Sequence, residues 1–513
     1  MKAGRYIRTI YRLKPIQIIG LPLFNLKRFL LSKTSINIPD FSFQLPKLIL
    51  PDGVKSPSKD YLLFNEKINL RNIPWSDDID KLKKYHLHYF DFLNNCSADD
   101  GKRIIREWIE ENPADINNDG WEPYPIALRI VNWIFFFVRN DIIPDKDIKN
   151  SLYLQGKWLY RQREIHLLAN HFLKDIVALL FWGYCFSDKR VINWALKNLA
   201  SQLSEQFTSS GLHYEYSPTY HALAINDIIG CYNLLENNIV GDSKGITKKL
   251  KNIAEKGLSV AEYLNAGGYI SVGDVNYQDC PDFNELKGYA ERAGLKYSSR
   301  RQDTFLTLKA GNLEIMMINS PFSPSYNPAH SHGDKLSVLL WDKDKPILTD
   351  TGNYCYQESD ERDYSRSAEA HNSIQVDDLE QAEFWAAFRA GYRGKVERQA
   401  ADSNQISSVF KHKKYKHFRT IKKTENGIIL NDGITAKGAH SFKQYFHLHP
   451  GSSVKRKDDG IIINDSVIIS FYNSFTLIKT EFYPEMYKKE YQDTVIVNGE
   501  FKDTINITTE ITI

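Results

Sequence analysis

Cysteine is scarce: Cys96, Cys185, Cys231, Cys280 and Cys355 are scattered through 513 positions, and no CxxC pair occurs. That spacing excludes a cysteine-built zinc site and argues against a disulfide framework. An excess of one charge is also missing. With 66 basic against 63 acidic residues, the net charge is +3, so no global field favours nucleic acid and none is expected as a partner. Long apolar runs are absent too. Ile176–Phe186 falls well short of the roughly 18 residues a membrane span needs. Pro15–Phe24 (PIQIIGLPLF) follows several Arg and Lys residues like an export signal, but it holds two prolines and no clear small-x-small cleavage site. The expectation is a cytoplasmic or membrane-peripheral protein, with a periplasmic location as the alternative. Residues 1–33 read as a basic amphipathic segment suited to weak contact with a membrane surface.

Aromatics are plentiful instead, at 13%, with 29 Tyr and 27 Phe. Such rings stack on sugars and tyrosine carries a proton, although aromatics also fill cores. The length suits two or three domains. Residues 34–80 are rich in Pro, Asn, Asp and Lys and complete an irregular lead-in over 1–80. From about 82 to 265 the pattern is helical. IALRIVNWIFFFV, FLKDIVALLFWGYCFS (172–187), HALAINDIIGCYNLLE (221–236) and 249–266 each predict a buried or amphipathic helix. After residue 300 the texture changes to short alternating runs. Strands are predicted at 336–341, 373–377, 405–411, 418–423, 427–430, 461–472, 475–482 and 492–498, with turns such as Ala310-Gly311-Asn312 and Asn498-Gly499. The fold class is therefore α+β multidomain: a helical domain over 81–290 whose pairs can stack as a toroid, then an antiparallel β-sandwich over 291–513. The boundary falls between 268 and 303, around GGYISVGDVNYQDC.

Three clusters carry candidate chemistry. In AHSHGD (329–334), a strand would point His330 and His332 the same way. With Asp350 in ILTDTG and His371 in EAHNSIQVD they make a mixed nitrogen and oxygen donor set of the kind Zn²⁺ takes. Asn170-His171 opens an apolar helix, where Asn also serves as a plain cap. GLHYEYSPTYH (211–221) packs three tyrosines and two histidines ahead of a helix that Ser217-Pro218 would start. Taken singly, each has a bland reading: a cap, a helix start, a set of polar loop residues.

In combination the segments resemble the heparinase II/III-type polysaccharide lyases, relatives of the heparan and alginate lyases. The resemblance runs from about residue 85 to 450 and is carried by HLHYFDFL (86–93), WEPYPIALRIVNW (121–133), NHFLKDIVALLF (170–181) and HYEYSPTYH (213–221). HSHGDKLSVLLW (330–341), DTGNYCY, AHNSIQVDDLEQAEFW and FHLHPG (446–451) follow in order. It implies an (α/α) toroid followed by a β-sandwich, and β-elimination on a uronate-containing acidic polysaccharide. It implies that Asn170 and His171 neutralise the uronate carboxylate, that Tyr220 donates a proton to the leaving oxygen, and that His330 is a base or carboxylate partner. His332, Asp350 and His371 would form a structural divalent-metal site, most simply zinc. Tyr214, Tyr216 and Tyr356 are further substrate-binding candidates. Relatives often carry Glu-Gly where this chain has Glu215-Tyr216, which leaves the substrate class open.

The chemistry accounts for the residue types. Removing the proton alpha to a carboxylate builds enolate-like charge that hydrogen-bond donors must stabilise. A base must take the proton and an acid must meet the departing oxygen. Arg129 and Arg389 could add positive charge to the cleft, though each also reads as one half of a structural ion pair. A lead-in without a clear export signal suits a role in making or trimming the cell's own surface polysaccharide. The main alternative is a catalytically idle carbohydrate-binding scaffold in polysaccharide assembly. A glycoside hydrolase would need two facing carboxylates, for which Glu215 and Asp334 are the available pair.

Overall fold

The computed structural model describes residues 2–33, 36–51, 60–75, 79–265, 270–278, 280–298 and 304–513. Two helices open the chain, α1 (Lys2–Ile10) and α2 (Pro15–Ser32). A short hairpin, Asp60–Leu63 with Glu66–Asn69, interrupts the irregular lead-in. The helical half follows as α3 (Lys81–Tyr89), α4 (Ala98–Glu111), α5 (Pro123–Arg139), α6 (Lys146–Arg161), α7 (Ala169–Cys185), α8 (Lys189–Gln206), α9 (Pro218–Asn237), α10 (Lys244–Asn265) and α11 (Phe283–Arg292). Successive helices pack as neighbours into the toroid, with Trp108, Trp133 and Trp182 fully buried between them. Each such ring contributes a few kcal/mol of burial, about 25 cal/mol per Å² removed from water. One contact shows how sequence sets the packing. Gly156 of α6 leaves room for the Trp182 ring, which a Cβ would meet at 2.2 Å, and Trp182 Nε1 donates to Leu152 O at 2.9 Å.

The sheet half begins at Phe305. Four strands, Phe305–Ala310, Leu313–Ile318, Val338–Asp342 and Lys345–Leu348, form one antiparallel sheet. A larger ten-stranded sheet faces it, built on the long pair Gly427–His447 and Lys488–Thr512. Side chains alternate across a strand, and here both faces are used. Leu306, Leu308, Ile315, Met317, Val338 and Leu340 join the core shared with the large sheet. Their neighbours Phe305, Met316, Ile318, Leu339 and Trp341 instead pack with Leu212, Val260, Leu264, Ile270 and Val272 of the helical half. The small sheet is thus the middle layer of the molecule. Its outgoing loops, 319–337 and 349–373, emerge where the two halves meet. Helix α12 (Asp360–Arg366) lies within the second loop.

Two expectations need correction, and two others agree with the structure. His330 and His332 lie in a loop, not a strand. The run 461–472 is two strands, Gly460–Ile463 and Val467–Phe471, because Asn464 and Asp465 both take positive φ (52° and 56°) and turn the chain. All five cysteines are free. Among the described residues, no helix is long and apolar enough to cross a membrane.

Candidate active site

The site assembles from five segments, around Asn170, Tyr220, Asp274, His330 and Tyr356. Before α7, Leu168 and Ala169 both hold positive φ (60° and 52°), and the helix starts at Ala169. Asn170 is therefore not the cap but lies in the first turn, next to His171. Its Nδ2 approaches both carboxylate oxygens of the buried Glu215, at 3.2 and 3.1 Å. His171 Nδ1 pairs with Glu164 Oε2 at 2.9 Å, and its ring lies 4.7 Å from that of Tyr124. Burial pulls the His171 pKa down, but Glu164, Glu215 and Glu122 outweigh it and the net shift is upward. An imidazole whose charged form is favoured, beside the Asn170 amide, suits a carboxylate ligand.

Tyr220 stands in the first turn of α9, which Ser217 caps by accepting from the Tyr220 N–H at 3.4 Å. Its ring stacks on His330 with centroids 3.8 Å apart, and its hydroxyl donates to Tyr356 Oη at 3.3 Å. Burial, with Tyr356 and Asp274 nearby, raises the phenol pKa far above its ordinary value. Tyr220 is therefore neutral and holds its proton. His330 is framed by two carboxylates. Its Nδ1 pairs with Asp274 Oδ2 at 2.8 Å, while its Nε2 lies 3.8 Å from Glu215 Oε2. The contacts run Asn170, Glu215, His330, Tyr220, Tyr356, crossing between the helical half and the sheet half three times. Phe388, its ring 5.8 Å from that of His330, adds an exposed aromatic surface.

Asp274 joins the two halves, and the sequence reading passed over it. It lies in the segment 270–278 after α10, fully buried, and receives His330, His332 Nε2 at 2.8 Å and both terminal nitrogens of Arg362. Burial would raise its pKa, but Arg362 and the two imidazoles hold the carboxyl well below the usual range. As a carboxylate it only accepts, so both histidines donate to it. Gly273 makes the approach possible. At φ +62° a Cβ there would meet His330 O at 2.4 Å. Glu164, Arg362 and Tyr124 were also missed. The only trace of Asp274 in sequence is a charge set in the apolar stretch VGDV.

The proposed metal residues are also neighbours. His332 and His371 stand with ring centroids 5.5 Å apart. His332 donates through Nε2 to Asp274, and burial holds its pKa down at about 4, which leaves Nδ1 as a bare lone pair. His371 Nδ1 pairs with Asp350 Oδ2 at 2.7 Å. His332 Nδ1 and His371 Nε2 are both buried without a hydrogen-bond partner. A histidine braced by a carboxylate, with its other nitrogen bare, is how metal ligands are oriented. Asp350, engaged with His371 and with the Gly352 N–H at 3.2 Å, stands behind a ligand in this arrangement rather than beside it. Among the described residues, no three His, Cys, Asp or Glu side chains form a ready cluster.

Other candidates lie elsewhere. Arg129 is fully buried, bonded to Gln155, His88 O and Gly120 O, and stacked at 3.9 Å over Trp108. It braces the helical core and takes no part in the cleft. Tyr214 is buried and bonded to Tyr326 Oη at 2.8 Å, and Tyr216 packs into the apolar layer between helices and small sheet. Tyr356 is in the site. Arg389 lies near enough to help lower the His166 pKa, a shift in which burial is the largest cause. Asp334 is buried against Lys335, so it does not form a carboxylate pair with Glu215.

A helical toroid and a β-sandwich that bring tyrosine, histidine and asparagine together at their junction define a class of two-domain scaffold. Residues 77–297 match the heparinase II/III N-terminus and residues 301–498 the heparinase II/III-like C-terminal domain. The chain belongs to the heparinase II/III-like family. Among solved structures it is similar to a heparinase III (TM-score 0.66, 15% identity, 86% of this chain and 79% of the other). It is also similar to a heparan sulfate lyase from Pedobacter heparinus (TM-score 0.58, 14% identity, 97% and 88%). At such identities the likeness shows the fold. No curated protein matches the chain.

Proposed function

We propose that this protein is a polysaccharide lyase that cleaves a uronate-containing acidic polymer by β-elimination. The observation that carries the reading is the stacking of Tyr220 on His330 at 3.8 Å, with Asn170 reached through Glu215. Family membership, and the lyase names of the similar structures, point the same way. In this reading Asn170 and protonated His171 receive the uronate carboxylate and stabilise the charge that develops as the alpha proton leaves. His330 is the base. With Nδ1–H given to Asp274, its Nε2 is left as the acceptor, and Glu215 at 3.8 Å would stabilise the imidazolium that forms. Tyr220, neutral and beside His330, donates to the departing oxygen, and Tyr356 orients its hydroxyl. In this reading these groups would supply both parts of the elimination: proton removal at one carbon and proton delivery to the oxygen on the next.

The test is a panel of acidic polysaccharides, scored by the ultraviolet absorbance of the unsaturated uronate that only elimination makes. Absorbance with the native protein and its loss in Tyr220→Phe support the lyase. Binding of a polymer without absorbance indicates an idle carbohydrate-binding scaffold.

We further propose that His332 Nδ1 and His371 Nε2 hold a divalent ion, with Asp350 bracing His371. Bound there, the ion would tie together the two loops that carry His330 and Tyr356. Elemental analysis of the protein, with a fall in Tm on chelation that added zinc reverses, is the expected result. A metal-free protein whose Tm ignores chelator overturns it.

A further inference from the structure

The N-terminal helix pair is built inside out. Helix α2 turns Gln17, Gly20, Phe24 and Leu31 inward, positions that recur on one face at 3.6 residues per turn. The opposite face carries Ile16, Ile18, Ile19, Leu23, Leu26 and Phe29, which are 41–59% exposed. At 100° per residue these side chains cover about 160° of the helix without a charged residue among them. Helix α1 and the turn after it add Ile7, Ile10 and Tyr11, exposed by 68%, 52% and 89%. Among the described residues nothing packs on this surface. A soluble helix would bury its wide apolar face, so this one is shaped for another medium.

The charges at its border say which. No acidic residue occurs before Asp40, while Arg5, Arg8, Arg12, Lys14, Lys27, Arg28 and Lys33 line the same segment. Arg8 and Lys14 are engaged by the body of the protein, through Glu383 and Glu205 at 2.5 Å each. Arg12, Lys27 and Lys33 are exposed. An apolar face whose own helices supply cations and no acidic residue complements an anionic lipid surface, into which such a helix settles lengthwise. A second copy of this chain would bring the same cations together, so like charges would meet across the seam.

The inner face of α2 rests on the loop that leads into α7. The Phe24 ring lies 4.2 Å from His166, Gln17 Nε2 donates to His166 O at 3.4 Å, and a Cβ on Gly20 would meet His166 Cβ at 3.2 Å. That loop holds Glu164 and continues to Asn170 and His171. We infer that α1 and α2 form an interfacial anchor that seats the protein on an anionic bilayer surface, with the cleft loop braced directly behind it. This inference rests on the helix pair alone and stands whatever chemistry the cleft performs.

The experiment is flotation of the full chain with phosphatidylcholine vesicles, with and without phosphatidylglycerol. The expected result is at least about tenfold more protein floating with anionic than with neutral vesicles, reduced by salt. The exposed-position variant Leu23→Glu, Leu26→Glu, Phe29→Glu is expected to lose most of that binding while keeping its circular dichroism and Tm. Lys27→Glu with Lys33→Glu is expected to reduce the preference for anionic lipid. Failure of the native chain to float, or equal flotation by the triple variant, overturns the proposal. A dimer in light scattering that the triple variant abolishes, without vesicle binding, overturns it in favour of self-association.

Discussion

At the scale of single residues, the site separates groups by protonation. Tyr220 is held neutral by burial and His171 is pushed toward its charged form by three carboxylates. Tyr220→Phe keeps the stack on His330 but removes the proton, so kcat is expected to fall by about 10²–10⁴ with little change in polymer binding. Asn170→Ala is expected to cost about 10²–10³ in kcat if its amide meets the developing charge. Comparable kcat in wild type and variant would remove it from the reaction. The His171 shift sets a pH dependence. Its folded pKa lies above the ordinary 6.5, so its contribution to stability is complete below 6.5 and is lost as pH rises through the folded value. Chemical denaturation across that range is expected to show a falling stability in the native chain and a flatter profile in His171→Gln. Asn170, His171, Tyr220 and His330 were singled out in the sequence because motif and residue type coincide, and the structure places them near one another. Asp274 was not, because a lone aspartate in an apolar stretch carries no spacing that names its partners, which lie 56, 58 and 88 positions away.

At the scale of elements, legibility followed period and apolarity. In the small sheet the third strand stood out because both its faces are buried, giving the unbroken run Val338–Trp341. Helices α5, α7 and α9 were readable for the same reason, and α10 by its amphipathic stripe. Helices α6 and α8 were not singled out, since Lys, Asn and Gln dilute their apolar stripes. The strands Ala382–Trp385 and Arg389–Arg393 are too short to show an alternation. Loops were the weakest point. His330 and His332 address the two oxygens of one carboxylate from an irregular segment, a geometry that no two-residue period specifies. The Gly273 turn fixes that geometry from the other side. Gly273→Ala is expected to cost about 1–3 kcal/mol through its positive φ, and the clash with His330 O should lower kcat as well. A variant with native kcat and native urea midpoint would show that the loop yields without consequence.

At the scale of the whole molecule, the two halves are joined by more than chain connectivity. Asp274 belongs to the helical half, where its backbone oxygen accepts from Ser217 Oγ at 2.5 Å, yet its carboxylate serves His330, His332 and Arg362 from the sheet half. Replacing one member of a buried ionic group leaves the others uncompensated, at about 3–5 kcal/mol. Asp274→Asn is therefore expected to lower the denaturant midpoint and to split a single transition into two. One cooperative transition at the native midpoint would contradict this role.

The helix pair at the N-terminus forms a second bridge. Helix α1 grips the sheet half through Arg8 to Glu383 and Tyr6 against Trp385, while α2 grips the helical half through Phe24 and Arg28. A strap fastened at both ends limits how far the jaws between them can gape. Whatever holds the strap still therefore also limits how far the helical half and the sheet half can move apart.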